Sequence, residues 1–440
     1  MADITVIPTQ GNGLLQPSSW SDFMRDSYVS RKPPALGSVS VEEIERAARE
    51  KLKEHPNAFM YSFGGAGTNS THAANLAEFK KWKIIPRMLR NVTERNLETT
   101  IFGEKLNSPL FVAPIGVQGI VHPDGECGTA RAATKIGVPF IMSSASSRSI
   151  EAVAGASGSG HRWYQLYWPR SDDVTVSLLS RAKASGFTTL VVTLDTQILG
   201  WRPHDIDYSY LPFAHGVGCQ IGFTDPVFMA RFGQQPASHD DHPEFPYDYK
   251  KIDAAIVAGD QDAILKSKIA TAWIGETTSG YFRSWEDLKF LRKHWDGPIV
   301  LKGIQAVQDA ELAIEHGIDG IVVSNHGGRQ IDGAIPSLYA LRQICTNPKI
   351  KAAQESGTLA VLFDSGIRNG SDILKAIAIG AQAILLGRPY VYGLAVGGEA
   401  GVEQIIKSIL ADLEITLGLS GYKNLEEIRG KADEVLVRLD

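Results

Sequence analysis

Residues 320–330 read GIVVSNHGGRQ. Gly320 to Val323 form a short apolar block with no polar alternation. Such a block suits a strand buried on both faces, as in a parallel sheet covered by helices. Ser324 and Asn325 end it, and His326 and Arg329 follow on a turn that contains two glycines. A proton acceptor and a fixed cation therefore stand where a buried strand stops.

The same register recurs on both sides of this stretch. The runs are PLFVAPIG (109–116), PFIMSSAS (139–146), RWYQLYW (162–168), TTLVVTLDT (188–196), PIVLKGI (298–304), GIVVSNHGG (320–328), LAVLFDSGI (359–367) and AILLGRP (383–389). Helical segments such as DDVTVSLLSRAKASG, AVQDAELAIEHG and SDILKAIAIG lie between them. Eight strand–helix units predict an α/β chain of the (β/α)8 TIM-barrel type. A doubly wound parallel sheet is the competing architecture. The count of eight, and the lack of a GxGxxG turn after the first strand, favour the barrel.

Residues 1–37, rich in Gly, Pro and Ser, read as an extended N-terminal arm used in subunit contacts. The main domain is expected over 38–440. It opens with a helical extension, VSVEEIERAAREKLKEHP (39–56), stopped by Pro56, after which NAFMYSFGGAG turns through glycines. Residues 204–272 break the rhythm after the fourth strand. Their length exceeds an ordinary strand–helix connection, and aromatics such as Tyr210, Phe213 and Phe228 predict an ordered lid over the barrel mouth. His239 and His242 flank two aspartates there, a weak metal pattern.

The composition is 43% hydrophobic and 21% charged over 440 residues, with net charge −5. That balance offers no basic surface for nucleic acid or membrane. Cys127, Cys219 and Cys345 are scattered, as expected of reduced thiols. No basic-then-apolar leader opens the chain, no apolar run reaches about 18 residues, and VRLD is not a peroxisomal signal. A cytoplasmic protein is expected.

Functional groups of such a barrel stand at the C-terminal ends of its strands. Those ends offer Pro114-Ile115-Gly116, Ser143, Gln165 with Tyr167, Thr193 with Asp195, Lys302, His326 with Arg329, Asp364 with Arg368, and Gly387-Arg388. Glycine turns with Arg368 and Arg388 follow strands seven and eight, where barrels commonly bind phosphate. Arg329 and Arg202 beside His326 suit a carboxylate held while a neighbouring C–H or O–H is deprotonated. Lys, Gln, Thr, Ser and Arg suit a heteroaromatic ring better than a metal, and no metal is expected.

The motifs APIGVQGIVHPDGE, QLYWP, TLDTQILGWRP, LKGI, SNHGGRQIDG, LFDSGIRNGSD and LLGRPYVYG resemble the FMN-dependent 2-hydroxy acid oxidising family from about residue 40 onward. Within it, the likeness is nearest the lactate 2-monooxygenase branch. The resemblance implies FMN across the barrel mouth, contacted by Pro114, Ile115, Gly116, Ser143, Gln165, Thr193, Lys302, Ser324, Asp364, Ser365, Gly366, Arg368, Gly387 and Arg388. It implies His326 as base, Asp195 to orient it, Lys302 to stabilise reduced flavin, and Tyr61, Tyr167, Arg202 and Arg329 for substrate. It also implies a homotetramer or homo-octamer acting on a small hydroxy acid and O2. Gly116 replaces the alanine of glycolate oxidases, which changes the room beside the flavin. Ala145 replaces a tryptophan, which enlarges the substrate pocket. Oxidative decarboxylation of lactate to acetate, CO2 and water is expected. A simple oxidase releasing peroxide, a dehydrogenase with another acceptor, an FMN isomerase and a non-catalytic flavoprotein are the alternatives.

Overall fold

The eight apolar runs are the eight strands of a closed parallel barrel: β1 (Leu110–Val112), β2 (Phe140–Ser143), β3 (Arg162–Leu166), β4 (Leu190–Thr193), β5 (Ile299–Ile304), β6 (Gly320–Val323), β7 (Ala360–Phe363) and β8 (Ala383–Leu386). Each strand pairs with the next in sequence, and β8 pairs with β1, which excludes the open doubly wound sheet. The computed structural model describes residues 19–439. Alternate residues face opposite ways. Phe111, Ile141, Trp163, Val191, Val322 and Leu385 fill the barrel interior, whereas Leu110, Val112, Phe140 and Val323 pack outward on the helices. Burial on both faces is why the strands read as unbroken apolar runs.

Helices follow the strands, from Gly125–Ile136 after β1 to Arg388–Leu419 after β8. Two features were not foreseen. An antiparallel hairpin, Thr99–Ile101 with Glu104–Leu106, inserts Ile101, Phe102 and Leu106 into the interior cluster and plugs the end opposite the strand C-termini. Trp82–Ile84 pairs with Leu436–Arg438, joining distant parts of the chain. Single three-residue strands carry too little pattern to be read alone.

The N-terminal expectations need correction. Residues 1–18 of the predicted arm lie outside the described residues. Within the rest, Asp22–Ser30 is a helix and not an extended segment. It is tethered by Glu414, which accepts from Ser19 Oγ at 2.5 Å and Ser21 N at 2.6 Å. The extension is a helix over Val41–Lys51 that buries Val41, Ile44 and Ala48. Pro56 does not merely stop it. Pro56 begins a second helix, Pro56–Phe63, over residues read as a turn. Proline fits a first helical position because no N–H is needed there.

The segment after β4 is ordered and helical, with Pro203–Asp207, Gln220–Phe223, Pro226–Ala230, Tyr249–Val257 and Gln261–Thr277. Phe228 and Trp273 stack edge-on at 4.9 Å within it. Phe213, Gly218 and Trp273 of this segment, and Ile274, Thr277 and Thr278 at its end, line the cavity at the C-terminal ends of the strands. His239 pairs with Glu151 at 3.2 Å and His242 bonds the Pro243 carbonyl at 3.1 Å. Among the described residues no cluster of His, Cys, Asp or Glu could hold a metal. None of their helices is long and apolar enough to cross a membrane.

Candidate active site

His326 opens the turn after β6 with a left-handed backbone, φ 58°. That conformation is costly for a non-glycine residue and marks a functional constraint. Gly327 follows at φ 65°, and a Cβ there would sit 2.8 Å from Arg388 Nη1. The imidazole Nδ1 lies 2.8 Å from Asp195 Oδ1, at the end of β4. Asp195 also accepts from Thr196 Oγ1 at 3.0 Å. Burial opposes its charge, but His326 and Lys302 outweigh burial and bring its carboxyl down to about 2. An ionised Asp195 places the histidine proton on Nδ1 and leaves Nε2 as the free acceptor. Burial pulls His326 below the usual imidazole range, and Lys302 adds to this against the opposing pull of Asp195. The ring is therefore a neutral base at neutral pH.

Four guanidinium groups face the same cavity: Arg202, Arg329, Arg368 and Arg388. Among the described residues none of them has a carboxylate within 4.0 Å. They bond backbone carbonyls instead, and Arg202 also the Gln330 side-chain oxygen. Arg388 donates to Ser62, Phe63, Gly64 and Gly327 carbonyls at 2.9–3.3 Å, and Arg329 Nη1 to Gly64 O at 2.6 Å. Ser62 to Gly64 end the Pro56–Phe63 helix, where unpaired carbonyls and the helix dipole favour cations. Burial and the neighbouring guanidiniums bring Arg329 down to about 9 and Arg388 to about 10. Like charges gathered in this way call for anions: a phosphate near Arg368 and Arg388, and a carboxylate near Arg202 and Arg329.

Tyr61, on that same helix, lies under the Arg329 guanidinium at 5.7 Å from the ring centroid. Burial pushes its phenol up to about 12, and burial also raises Tyr167. Both stay neutral donors. Lys302 Nζ is 3.2 Å from Asp364 Oδ2 and 3.1 Å from Ser324 Oγ. Burial opposes its charge, but Asp364 and Asp195 outweigh it and hold the ammonium above its usual range. A fixed cation thus stands at the end of β5.

The structure brings most expected residues to one cavity. Pro114, Ile115, Gly116, Asp364, Ser365, Gly366, Gly387, Tyr61, Tyr167, Lys302 and His326 all line it. Ser143, Gln165, Thr193 and Ser324 are buried and do not form its wall. The first three make a chain of their own. Ser143 Oγ donates to Gln165 Oε1 at 3.0 Å, and Gln165 Nε2 donates to Thr193 Oγ1 at 2.9 Å. Gly116 was expected to change the room beside the flavin, and the structure shows what stands there. A Cβ there would meet the Ala145 carbonyl oxygen at 2.4 Å, so a close backbone approach occupies that space. Ala145 does line the cavity. Thr196 and Gln330 were missed, because a threonine beside an aspartate, or a glutamine after an arginine, carries no local signal.

Residues 48–434 match the FMN-dependent dehydrogenase family. The chain is 48% identical over 386 residues to an FMN-dependent alpha-hydroxy acid dehydrogenase of Schizosaccharomyces pombe, covering 87% of each. It is 36% identical over 387 residues to an L-lactate oxidase of Lysinibacillus sphaericus, covering 88% of this chain and 90% of that one. A crystal structure of mandelate oxidase superposes with a TM-score of 0.70 at 35% identity, over 89% of this chain and 97% of that one. The donor set fits FMN: two guanidiniums without acid partners suit its phosphate, and an ammonium at a strand end suits an electron-rich ring. Fold, charge and sequence agree that the chain belongs to the FMN-dependent dehydrogenase family, as an oxidoreductase of α-hydroxy acids.

Proposed function

We propose that this chain oxidises an L-2-hydroxy acid with an apolar side chain, L-lactate among them, and uses O2 as the final acceptor. Four guanidiniums with no ion pair among the described residues, beside a neutral histidine whose tautomer is set by Asp195, carry this reading. Arg202 and Arg329 hold the substrate carboxylate in a fork, and Tyr61 and Tyr167 donate hydrogen bonds to it. This grip brings the substrate's carbinol to His326 Nε2, which takes a proton. Asp195 stabilises the imidazolium that forms. Arg368 and Arg388, with the backbone at Gly366 and Gly387, hold the FMN phosphate. Pro114, Ile115, Gly116 and the Ser143–Gln165–Thr193 chain would support the ring, and Lys302, held by Asp364 and Ser324 and backed by Ser365, would stabilise negative charge on it. Bound FMN would supply the two-electron acceptor, with O2 as the final oxidant.

The helical cover after β4 favours retention of the 2-keto acid beside the peroxide. Peroxide then attacks the keto carbon, the bond to the carboxylate breaks, and lactate ends as acetate, CO2 and water. Peroxide and CO2 measured per lactate oxidised test this step. CO2 close to one per turnover with little peroxide is the expected result. One peroxide per turnover without CO2 returns the chain to simple oxidase chemistry, in line with the L-lactate oxidase relative.

Side-chain size is checked separately. Ala145→Trp is expected to fill the pocket, lowering kcat/KM for mandelate at least about tenfold more than for glycolate. Equal effects on both acids would move the side-chain pocket away from Ala145.

A further inference from the structure

We infer that Gln330 is a positioning residue whose side-chain amide couples the Arg202 guanidinium to the Asp195 peptide, setting the substrate clamp and the base in one geometry. The inference rests on the roles proposed above for Arg202 and His326. A carboxamide offers two acceptor lone pairs and two N–H donors, and all four are used. Gln330 Oε1 accepts from Arg202 Nη2 at 2.7 Å and from Gly200 N at 3.2 Å. Its Nε2 donates to Asp195 O at 2.8 Å and Ile198 O at 3.0 Å. The reversed amide would aim N–H groups at a guanidinium and a peptide N–H, so the orientation is unique.

The need for such a coupling follows from the barrel. Asp195 and Arg202 follow β4, whereas His326 and Arg329 follow β6, and β5 lies between them. Strand hydrogen bonds therefore do not fix one turn against the other. The loop 195–202 and the turn 326–330 touch directly. Gly200 presses onto this turn, where a Cβ would fall 2.5 Å from Arg329 O and 2.7 Å from Gln330 Cα. Arg202 Nε adds a bond to Arg329 O at 3.1 Å. Gln330 does not line the cavity, so its influence passes through Arg202 and through the Asp195–His326 pair.

The test uses Gln330→Glu and Gln330→Met as purified holoenzymes. In Gln330→Glu, one carboxylate oxygen faces the Asp195 and Ile198 carbonyls with no proton to share, and its charge offsets Arg202. KM for L-lactate is expected to rise about tenfold, the scale of one hydrogen bond to a charged group. The acid limb of kcat is expected to shift, because the Asp195 peptide moves relative to His326. Oxalate, as a carboxylate probe titrated against the flavin spectrum, should bind more weakly by a similar factor. Gln330→Met, which loses all four bonds, should show larger changes of the same kind. Wild-type KM, oxalate affinity and acid limb in both variants overturn the inference. So does a loss confined to melting temperature or FMN content, which marks a purely structural clip. His326→Gln measured alongside separates the two levels. An active His326→Gln sinks the reading of the site, whereas an inactive one beside wild-type Gln330 variants sinks only the coupling.

Discussion

Replacing His326 with glutamine is expected to lower kcat by about 10³–10⁴-fold while the protein keeps its FMN, the upper range for loss of a positioned general base. Glutamine can still reach Asp195 with an N–H, so the turn and the cavity survive. It has no lone pair of comparable basicity to offer the substrate. The wild-type pH profile provides a second check. His326 acts in its neutral form, and burial, aided by Lys302, depresses its pKa. Lowering the pH protonates it, so activity falls as pH drops through a value below the ordinary imidazole 6.5. In Asp195→Asn the opposing negative charge is gone. The acid limb should then move to still lower pH, while kcat falls about a hundredfold. Anaerobic bleaching of the yellow protein with a panel of L-2-hydroxy acids reads both variants directly. Undiminished bleaching in His326→Gln would remove that residue as the base.

Arg329→Met carries the second large effect, and its two consequences have opposite signs. Loss of one guanidinium from the carboxylate fork should lower kcat/KM by about 10²–10³-fold, mainly through KM. Stability in the absence of hydroxy acid should not fall, and is expected to rise. Arg329 is held at about 9 in the folded chain by burial, Arg202 and Arg388, against an unfolded value of 12.5 or above. A cation whose folded pKa is depressed costs the folded state at every pH below that folded value. The cost fades only as pH rises from about 9 toward the unfolded value. At pH 7 a neutral side chain of similar length removes it, though the bond to Gly64 O and the stacking over Tyr61 are also lost. Thermal melts with and without a hydroxy acid test the pair of predictions. The wild type should gain stability from the ligand and the variant should not. A variant that melts far below wild type without ligand would show Arg329 to be structural.

Several features could be read locally because each residue's neighbours in sequence carry the signal. The strands, three to six residues long, announce themselves as apolar runs, for double burial leaves no polar face. A parallel barrel then obliges whatever ends each strand to stand at one mouth. For that reason Lys302, His326, Arg329, Arg368 and Arg388 are legible in the sequence as one group. Where the signal is spread across the chain, the reading stopped. Pro56 looked like a terminator because a proline's role depends on which side of it the helix lies. At Gly116 the sequence shows a missing methyl, but nothing local reveals that the Ala145 carbonyl stands 2.4 Å from where that methyl would be. The hairpin that plugs the barrel is too short to show a period.

By itself the sequence determined the barrel, its order of strands, the cover after β4 and the chemical types at the mouth. All of these follow from short-range patterning and from the one way a twisted parallel sheet closes. Only the tertiary structure decided how those groups act on one another. It gave the Pro56–Phe63 helix terminus to two arginines as a set of carbonyl acceptors. Among the described residues it left four guanidiniums without acid partners, and it bonded Gln330 to both Arg202 and the Asp195 carbonyl. Charges and hydrogen bonds depend on distances of about 3 Å, and residues separated by more than a hundred positions in sequence reach such distances only when the chain has closed.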